Sequence, residues 1–386
     1  MKLLYYSPSS YGGIADYAHE QANALIDLGV DVTFLCTNKY PLSRGETYKT
    51  VPILQDINPS QPLNNKVLKK IYSSSILLSN FKTLARFIEE NDFRYVLLGS
   101  YIEYLAPLWS KYLRGLAKRG VKFGAIVHDP MRNTVLGPLW WHRWSIACGY
   151  SFLREAFVHE AIELDTIKPM PKLRTTVIPF GAYYFPKPNS SREEMRDRLK
   201  LPLDAKVLLS FGHIRDNKNL DLVIQAIANF SDIYLIVAGQ ENSSSQKPVV
   251  FYQDLAQKVG VAERCRWKIG LIPQQEVANL FIASDLTVLC YSNNFKSASS
   301  VLSVAANYQK PCLASAGSGL LQSVVKKYQL GIWVYPDCID SIIIGLKRWL
   351  EYPISPNWKQ YLIENSWSKN ASLILEAFKE KRETVK

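Results

Sequence analysis

Apolar residues along the chain fall into short compact runs, and these alternate with stretches of helical periodicity. Lys2 to Ser7 is the first run, and a glycine-containing loop follows it. From Ala15 to Leu28 the residues Ala18, Ala22, Leu25 and Ile26 recur at helical spacing, so a helix is predicted there. Gly29 stops it, and Val30 to Cys36 reads as a second strand. Further β-type runs stand at Tyr95 to Leu98 and Phe123 to Val127, with helical patterns over Phe81 to Glu90 and Leu105 to Lys118. Strand and helix in alternation predict a parallel sheet covered on both faces.

The plan then repeats. Lys206 to Phe211 is a strand, Gly212 to Asn219 a loop, and Leu220 to Phe230 an apolar-periodic helix. Ile233 to Ala238, Arg266 to Ile269, Leu286 to Cys290 and Cys312 to Ala314 read as strands, and segment 241–250 as a flexible loop. Between the halves, Phe185-Pro186-Lys187-Pro188-Asn189-Ser190-Ser191 is too rich in proline and serine for regular structure. The expected organisation is a first α/β domain over 1–184, a linker over 185–200, a second α/β domain over 201–357, and a closing helical segment, 358–386, packed back on the first. Two such domains predict a crevice beyond the carboxyl ends of their strands, where open α/β sheets bind ligands.

Charge narrows the partners. Among 386 residues there are 46 Lys+Arg against 34 Asp+Glu, a formal charge of +12. The surplus is concentrated between Lys66 and Lys122, and Leu139-Trp140-Trp141-His142-Arg143-Trp144 follows, interleaving indoles with cations. Nucleic acid, an anionic membrane surface and a phosphorylated small molecule all suit such a surplus. Nucleic acid is the least favoured, because no zinc spacing, RNA-binding aromatic signature or basic zipper accompanies the charge. Indoles beside cations favour the headgroup layer, so peripheral attachment to an anionic membrane is expected; the competing account is a solvated basic helix face with core tryptophans. The six cysteines are scattered in apolar surroundings with no close pairing, as reduced core residues are. With no secretory signal and no apolar stretch long enough to span a bilayer, a cytoplasmic protein is expected.

Three segments offer phosphate chemistry, each after a strand. Gly12 and Gly13 stand before the first helix, where close backbone approach meets free helix N–H groups. Arg215 and Lys218 share the loop between a strand end and a helix start; a guanidinium can fork onto a diphosphate while an ammonium neutralises it. Ser299, Ser300 and Val301 open a third helix, whose amides can face an anion. Taken singly, these are also what a glycine turn, two solvated cations and an ordinary helix cap look like.

In order along the chain, SPSSYGGIADYAHEQANALIDLGVDVTFLCT, AIVHDP, VIPFGAY, LLSFGHIRDNKNLDLVIQAIANF, LIVAG, IGLIPQQEVANLFIASDLTVLCYS and QKPCLASAGSGLLQSVV resemble a retaining, nucleotide-sugar-dependent glycosyltransferase of family 4. The resemblance implies a GT-B fold: two Rossmann-like, doubly wound parallel-sheet domains facing across a cleft. It implies transfer of a sugar from a nucleotide-diphosphate sugar to a glycan or lipid-linked acceptor, as in polysaccharide biosynthesis, by a hexosyltransferase-type enzyme that needs no metal and no cofactor. By position, it implies that Gly12 and Gly13 lie beside the sugar diphosphate and acceptor. His128 would lie near the donor sugar with Asp129 supporting its loop, Arg215 and Lys218 would hold the diphosphate, and Gly270, Leu271 and Ile272 would read the nucleobase.

The chain departs from the family pattern where two glutamates usually stand. Those positions are Lys296 and Val304, and nothing acidic lies between Tyr291 and Pro311. Branches without that pair carry a small-residue helix start like Ser299-Ser300-Val301, whose amides would take the phosphate contact. Two other readings stay open: a catalytically inactive GT-B binding subunit, and a nucleotide-sugar epimerase, which would need acid/base carboxylates that these motifs do not supply.

Overall fold

A computed structural model describes every residue except 42–46, 58–64, 129, 131–134, 136, 242–245 and 381–386, with Lys66 described by its backbone alone. The chain divides into two compact units, Met1–Phe180 with Ser366–Lys386 and Gly181–Asn365.

Unit 1 runs β1 (Lys2–Ser7), α1 (Gly13–Asp27), β2 (Asp31–Thr37), β3 (Lys49–Leu54), α2 (Lys66–Glu90), β4 (Tyr95–Leu98) and α3 (Ala106–Lys118). It continues with β5 (Lys122–Ile126), α4 (Leu139–Tyr150), β6 (Glu155–Val158) and β7 (Arg174–Val177). The seven strands form one parallel sheet in the order β3-β2-β1-β4-β5-β6-β7. β1 lies between β2 and β4, so the strand order reverses there and the loops after β1 and β4 diverge, which makes the crevice of a doubly wound sheet. The helix expected over 81–90 starts a good four turns earlier, at Lys66, where the Asn65 side chain caps it by accepting from Val67 N at 2.8 Å. Its inner face meets α3 through Phe81 stacked on Trp109, ring centroids 3.7 Å apart and both fully buried. Such a ring pair adds roughly 0.5–1.5 kcal/mol beyond the area it buries.

Unit 2 runs α5 (Arg192–Arg198), β8 (Lys206–Phe211), α6 (Leu220–Ile227), β9 (Ile233–Gly239), α7 (Val249–Lys258), β10 (Cys265–Ile269), α8 (Gln274–Ala283) and β11 (Leu286–Cys290). It ends with α9 (Ser300–Asn307), β12 (Cys312–Ser315), α10 (Leu320–Lys327), β13 (Gly331–Trp333), α11 (Ile339–Glu351) and α12 (Trp358–Glu364). Its six parallel strands take the order β10-β9-β8-β11-β12-β13, with the reversal between β8 and β11. Both units are therefore Rossmann-like doubly wound domains. The loop expected over 241–250 is shorter than that, because Pro248 ends it and α7 begins at Val249.

The last helix, α13 (Trp367–Lys379), returns to unit 1 and packs on α1. Polar groups lock it there. Asn370 Nδ2 donates to Tyr17 Oη at 2.9 Å and Pro179 O at 2.8 Å, and its Oδ1 accepts from Gln21 Nε2 at 2.7 Å. Gln21 and Asn370 are fully buried, so each satisfied bond also spares a desolvation cost of roughly 1–3 kcal/mol. At the helix's other end, the buried Glu155 of β6 accepts from Arg174 at 2.6 Å, and Arg174 in turn donates to Ala377 O at 2.8 Å. All six cysteines are free thiols, five of them buried.

Candidate active site

Arg215, Lys218 and the start of α9 gather where the strand order of unit 2 reverses. β8 ends in Phe211, and the chain turns at Gly212 with φ 88° before the loop that carries Arg215 and Lys218. Lys218 folds back over its own strand end, and its Nζ donates to Phe211 O at 2.5 Å. A Cβ placed on Gly212 would touch both Lys218 Nζ and Val301 Cγ2 at 3.4 Å. Those distances bring together the ammonium, the strand end and the start of α9. Beneath them Gly239, with φ 148°, presses its Cα on Gly212, and a Cβ there would lie 2.1 Å from Gly212 O. Only glycine permits that approach of backbone to backbone.

At the start of α9 the side chain of Ser299 is already used. Its Oγ accepts from Leu302 N at 3.3 Å and shares a hydrogen bond with Tyr291 Oη at 3.0 Å. The amides of Ser300 and Val301 precede the first intrahelical donor, Leu302 N, so they are the groups at this end able to meet an anion. Asp216 does not neutralise the cations beside it in sequence. Its Oδ1 accepts from Lys247 N at 2.9 Å and Tyr252 Oη at 3.3 Å. The Arg215 guanidinium is exposed and makes no hydrogen bond or ion pair among the described residues.

Two cations so close, with no carboxylate between them, perturb each other. Burial first, then the Arg215 charge, pulls Lys218 down to about 7 from the ordinary lysine range. His213 is lowered too, by burial and then by Arg215 and Lys218, while burial raises the Tyr291 phenol to about 12. This loop of unit 2 is short of negative charge. A bound diphosphate would supply it.

A second set of loop contacts holds this arrangement. Ser292 N donates to Asn217 O at 2.8 Å, and Asp337 joins Asn219 Nδ2 to Asn293 N with 2.9 Å bonds to each. Asn217 Oδ1 is buried with no partner among the described residues, and as an acceptor it suits a ligand hydroxyl. Gly270, Leu271 and Ile272 follow β10, one strand beyond β9; Gly270 N donates to Gly239 O at 3.0 Å, and Leu271 is 86% exposed. Val304, at one of the glutamate positions, is buried, and Lys296, at the other, is exposed.

In unit 1, Gly12 caps α1 with φ 81° and ψ −176°, a conformation open to glycine, and its carbonyl accepts from Asp16 N at 3.0 Å. His128 follows β5. Its Nε2 donates to Gly99 O at 2.9 Å, which sets the tautomer, and its ring meets Tyr17 edge-on at 4.8 Å. Asp129 lies outside the described residues. The pattern of the sequence does not single out His159, which follows β6 with its ring 5.7 Å from His128. His159 Nδ1 donates to Ile178 O at 3.2 Å and its Nε2 is buried without a partner among the described residues. Burial first, and then the His128 charge, lowers its pKa to about 3.

His159 thus ties stability to pH. Its folded pKa lies below the unfolded one, so between pH 6.5 and about 3 the unfolded chain binds the extra proton. Stability is expected to fall by roughly 1–2 kcal/mol for each pH unit across that window on this account. In His159→Asn, which keeps a donor for Ile178 O, urea midpoints measured from pH 7 to pH 4 should fall less steeply than in the natural chain. Equal slopes would rule the assignment out.

The comparisons agree with this architecture. Residues 11–181 match the family described as Glycosyltransferase Family 4, and residues 191–371 match Glycosyl transferases group 1. The chain is 28% identical over 245 residues to a D-inositol 3-phosphate glycosyltransferase of Thermobispora bispora, covering 59% of this chain and 55% of that one. It is 29% identical over 175 residues to the Streptomyces coelicolor protein of that name, covering 43% of this chain and 36% of the other. It therefore spans about a third to just over half of these relatives. Among solved structures, sucrose-phosphate synthase from Thermosynechococcus elongatus superposes with a TM-score of 0.71 at 16% identity, over 98% of both chains. Anabaena Alr3699/HepE, solved with UDP and glucose, superposes with a TM-score of 0.71 at 13% identity, over 99% of this chain and 100% of that one. With two doubly wound parallel-sheet domains, each matched by a glycosyltransferase family, the chain belongs to the family 4 glycosyltransferases of GT-B fold.

Proposed function

We propose that this chain transfers a hexosyl group, with retention of configuration, from a nucleoside-diphosphate sugar to a glycan or lipid-linked acceptor. One observation carries the reading: an ammonium and a guanidinium, unneutralised by Asp216, stand with the first amides of α9 where the strand order of unit 2 reverses. In this reading Arg215, Lys218 and the amides of Ser300 and Val301 hold the diphosphate, and Gly270 to Ile272 meet the base. On unit 1, Gly12, Gly13 and His128 serve the sugar and acceptor, with Asp129 supporting His128.

The reaction breaks the bond between the anomeric carbon and a phosphate oxygen, whose electron pair leaves with the diphosphate. The acceptor oxygen bonds to the same carbon from the same face, and its proton passes to that phosphate oxygen. The charge that grows on the leaving group is what fixed cations and helix amides stabilise, so this reading assigns the work to protein groups and needs no metal or cofactor. Product formation from a panel of nucleotide sugars, in buffer containing a chelator, tests it. No turnover or hydrolysis of any donor would remove it.

Lys218 adds a pH signature. With the free ammonium titrating near 7 and a bound diphosphate holding it charged, donor affinity should be flat below pH 7. Above that it should fall by up to about tenfold per pH unit, since deprotonation then opposes binding. Calorimetric titration with a nucleotide sugar from pH 6 to 9 reads this slope, and a flat profile would contradict it.

The buried Val304 at a glutamate position favours a second reading, a GT-B binding subunit without turnover. Tight partner binding with no affinity for any nucleoside diphosphate would select it. We further propose peripheral attachment to the inner face of an anionic membrane. Its support is the exposed indoles of α4 and the basic surplus of unit 1; among the described residues no helix is long and apolar enough to cross a bilayer.

A further inference from the structure

We infer that unit 1 binds the phosphate of an anionic phospholipid headgroup in a groove between α3, α4 and the Lys168–Leu173 turn; this rests on the membrane reading above. The groove has a volume of about 470 Å³, within the usual range for small-ligand sites. Arg114, Lys168 and Lys172 bring cations to it, and no Asp, Glu, Asn or Gln lines it. Apart from the hydroxyl-bearing Tyr150 and Ser151, its other walls are apolar or sulfur-bearing, among them Trp144, Cys148 and Met170. A sugar ring would call for amide or carboxylate partners for its hydroxyls, and the groove offers none. Three cations over an apolar floor suit a phosphate attached to a hydrocarbon tail.

The cations are held ready. Arg114 Nη1 donates to Ser151 Oγ at 3.2 Å and lies 3.9 Å from Cys148 Sγ, and its other N–H groups have no partner among the described residues. Lys168 and Lys172 bracket Pro169-Met170-Pro171, a turn that Leu173 N closes on Met170 O at 2.9 Å. Two prolines fix two backbone angles, so little order is lost when the turn takes a ligand.

One wall of the groove continues into a membrane-type surface. Trp144 lines it and also belongs to the exposed stripe of α4, where Leu139 is 60%, Trp140 65% and Trp144 47% exposed. The helix is anchored from its other side, Trp141 Nε1 and Ser145 Oγ both donating to Tyr104 O, at 3.1 and 2.7 Å. Arg143 is exposed within the same stripe. Apolar side chains next to cations on this helix complement a layer of lipid tails beneath anionic headgroups.

The experiment is sedimentation of the full chain with vesicles of phosphatidylcholine alone or with phosphatidylglycerol. The natural chain should bind the anionic vesicles, and Lys168→Gln/Lys172→Gln should bind roughly 30-fold more weakly, about fivefold for each cation lost. Lys258→Gln/Lys347→Gln, with the same charge removed from exposed positions of unit 2, should bind as the natural chain does. Soluble dihexanoyl phosphatidylglycerol below its micellar concentration should change the indole fluorescence saturably, and Trp144→Phe or Lys168→Gln/Lys172→Gln should abolish the change. If the natural chain ignores anionic vesicles, the membrane reading and this site fall together. If it binds them and the groove variant binds equally well, the site falls and the membrane reading stands. Inorganic phosphate producing the same fluorescence change at the same concentration would overturn the lipid assignment.

Discussion

Lys218→Ala is expected to lower kcat/KM for glycosyl transfer by roughly 100- to 1000-fold, the scale of losing one group that stabilises transition-state charge. The side chain is half-buried with its ammonium at the head of β8, so alanine removes positive charge from a place that solvent cations cannot replace well. The fold should tolerate the change, because removing an ammonium that burial disfavours relieves a cost. Thermal melting should therefore show a variant at least as stable as the natural chain between pH 7 and 10, where the folded lysine is held below its unfolded pKa. The pH slope of donor affinity should vanish with the ammonium. Unchanged turnover would remove the diphosphate assignment, and retained turnover with a retained slope would show that another group titrates. Arg215→Ala should cost less, since an exposed guanidinium is screened by water.

Gly239→Ala is expected to damage unit 2 severely with a single methyl. The new carbon would lie 2.1 Å from Gly212 O, and neither partner is a flexible side chain that could swing aside. β8 and β9 are held in register up to Phe211 and Ala238, and Gly212 N still donates to Ala238 O at 2.9 Å, so relief has to come from the turn at Gly212. A stability loss of roughly 3–5 kcal/mol follows, at the upper end for single substitutions. Since Gly212 adjoins both Lys218 Nζ and Val301, donor affinity should fall as well. Gly12→Ala is the comparison: nothing lies within 4 Å of its Cβ, so backbone strain alone, roughly 1–3 kcal/mol, should appear. Urea unfolding of both variants decides it. Equal losses would mean that the contact at Gly239 relaxes at little cost.

Much of the scaffold was legible because buried parallel strands are compact apolar runs and the helices between them carry an apolar stripe. β1, β4, β8 and β11 lie where the hydrophobic pattern puts them. The short strands escaped that pattern for physical reasons. β7 is Arg-Thr-Thr-Val at the sheet edge, and β6 contains a buried glutamate that pairs with Arg154 and Arg174. α4 has its apolar residues on more than one side, since its first half faces solvent and its second half the core, so no single periodicity marks it.

The candidate site divides in the same way. Arg215, Lys218, Gly12 and Ser299 can be singled out in the sequence, because a strand end, a loop with glycine or cations and a helix start are local features. That Asp216 turns to Lys247 and Tyr252, leaving the cations unneutralised, depends on α7 packing beside the loop. His159 and Asn217 become visible as candidates once their unpartnered buried atoms are known, and no spacing announces those.

By itself, then, the order of residues determined two parallel α/β domains, the loops proposed to hold a phosphate ligand, and an excess of positive charge. Each of these follows from periodicity or composition within a few tens of residues. Folding in three dimensions decided the depth at which Lys218 sits, the closure of α13 onto α1 through Asn370 and Gln21, and the meeting of Arg114 with Lys168 and Lys172 in one groove. Burial and long-range contact set charge states and neighbours, and these come into being when distant segments pack.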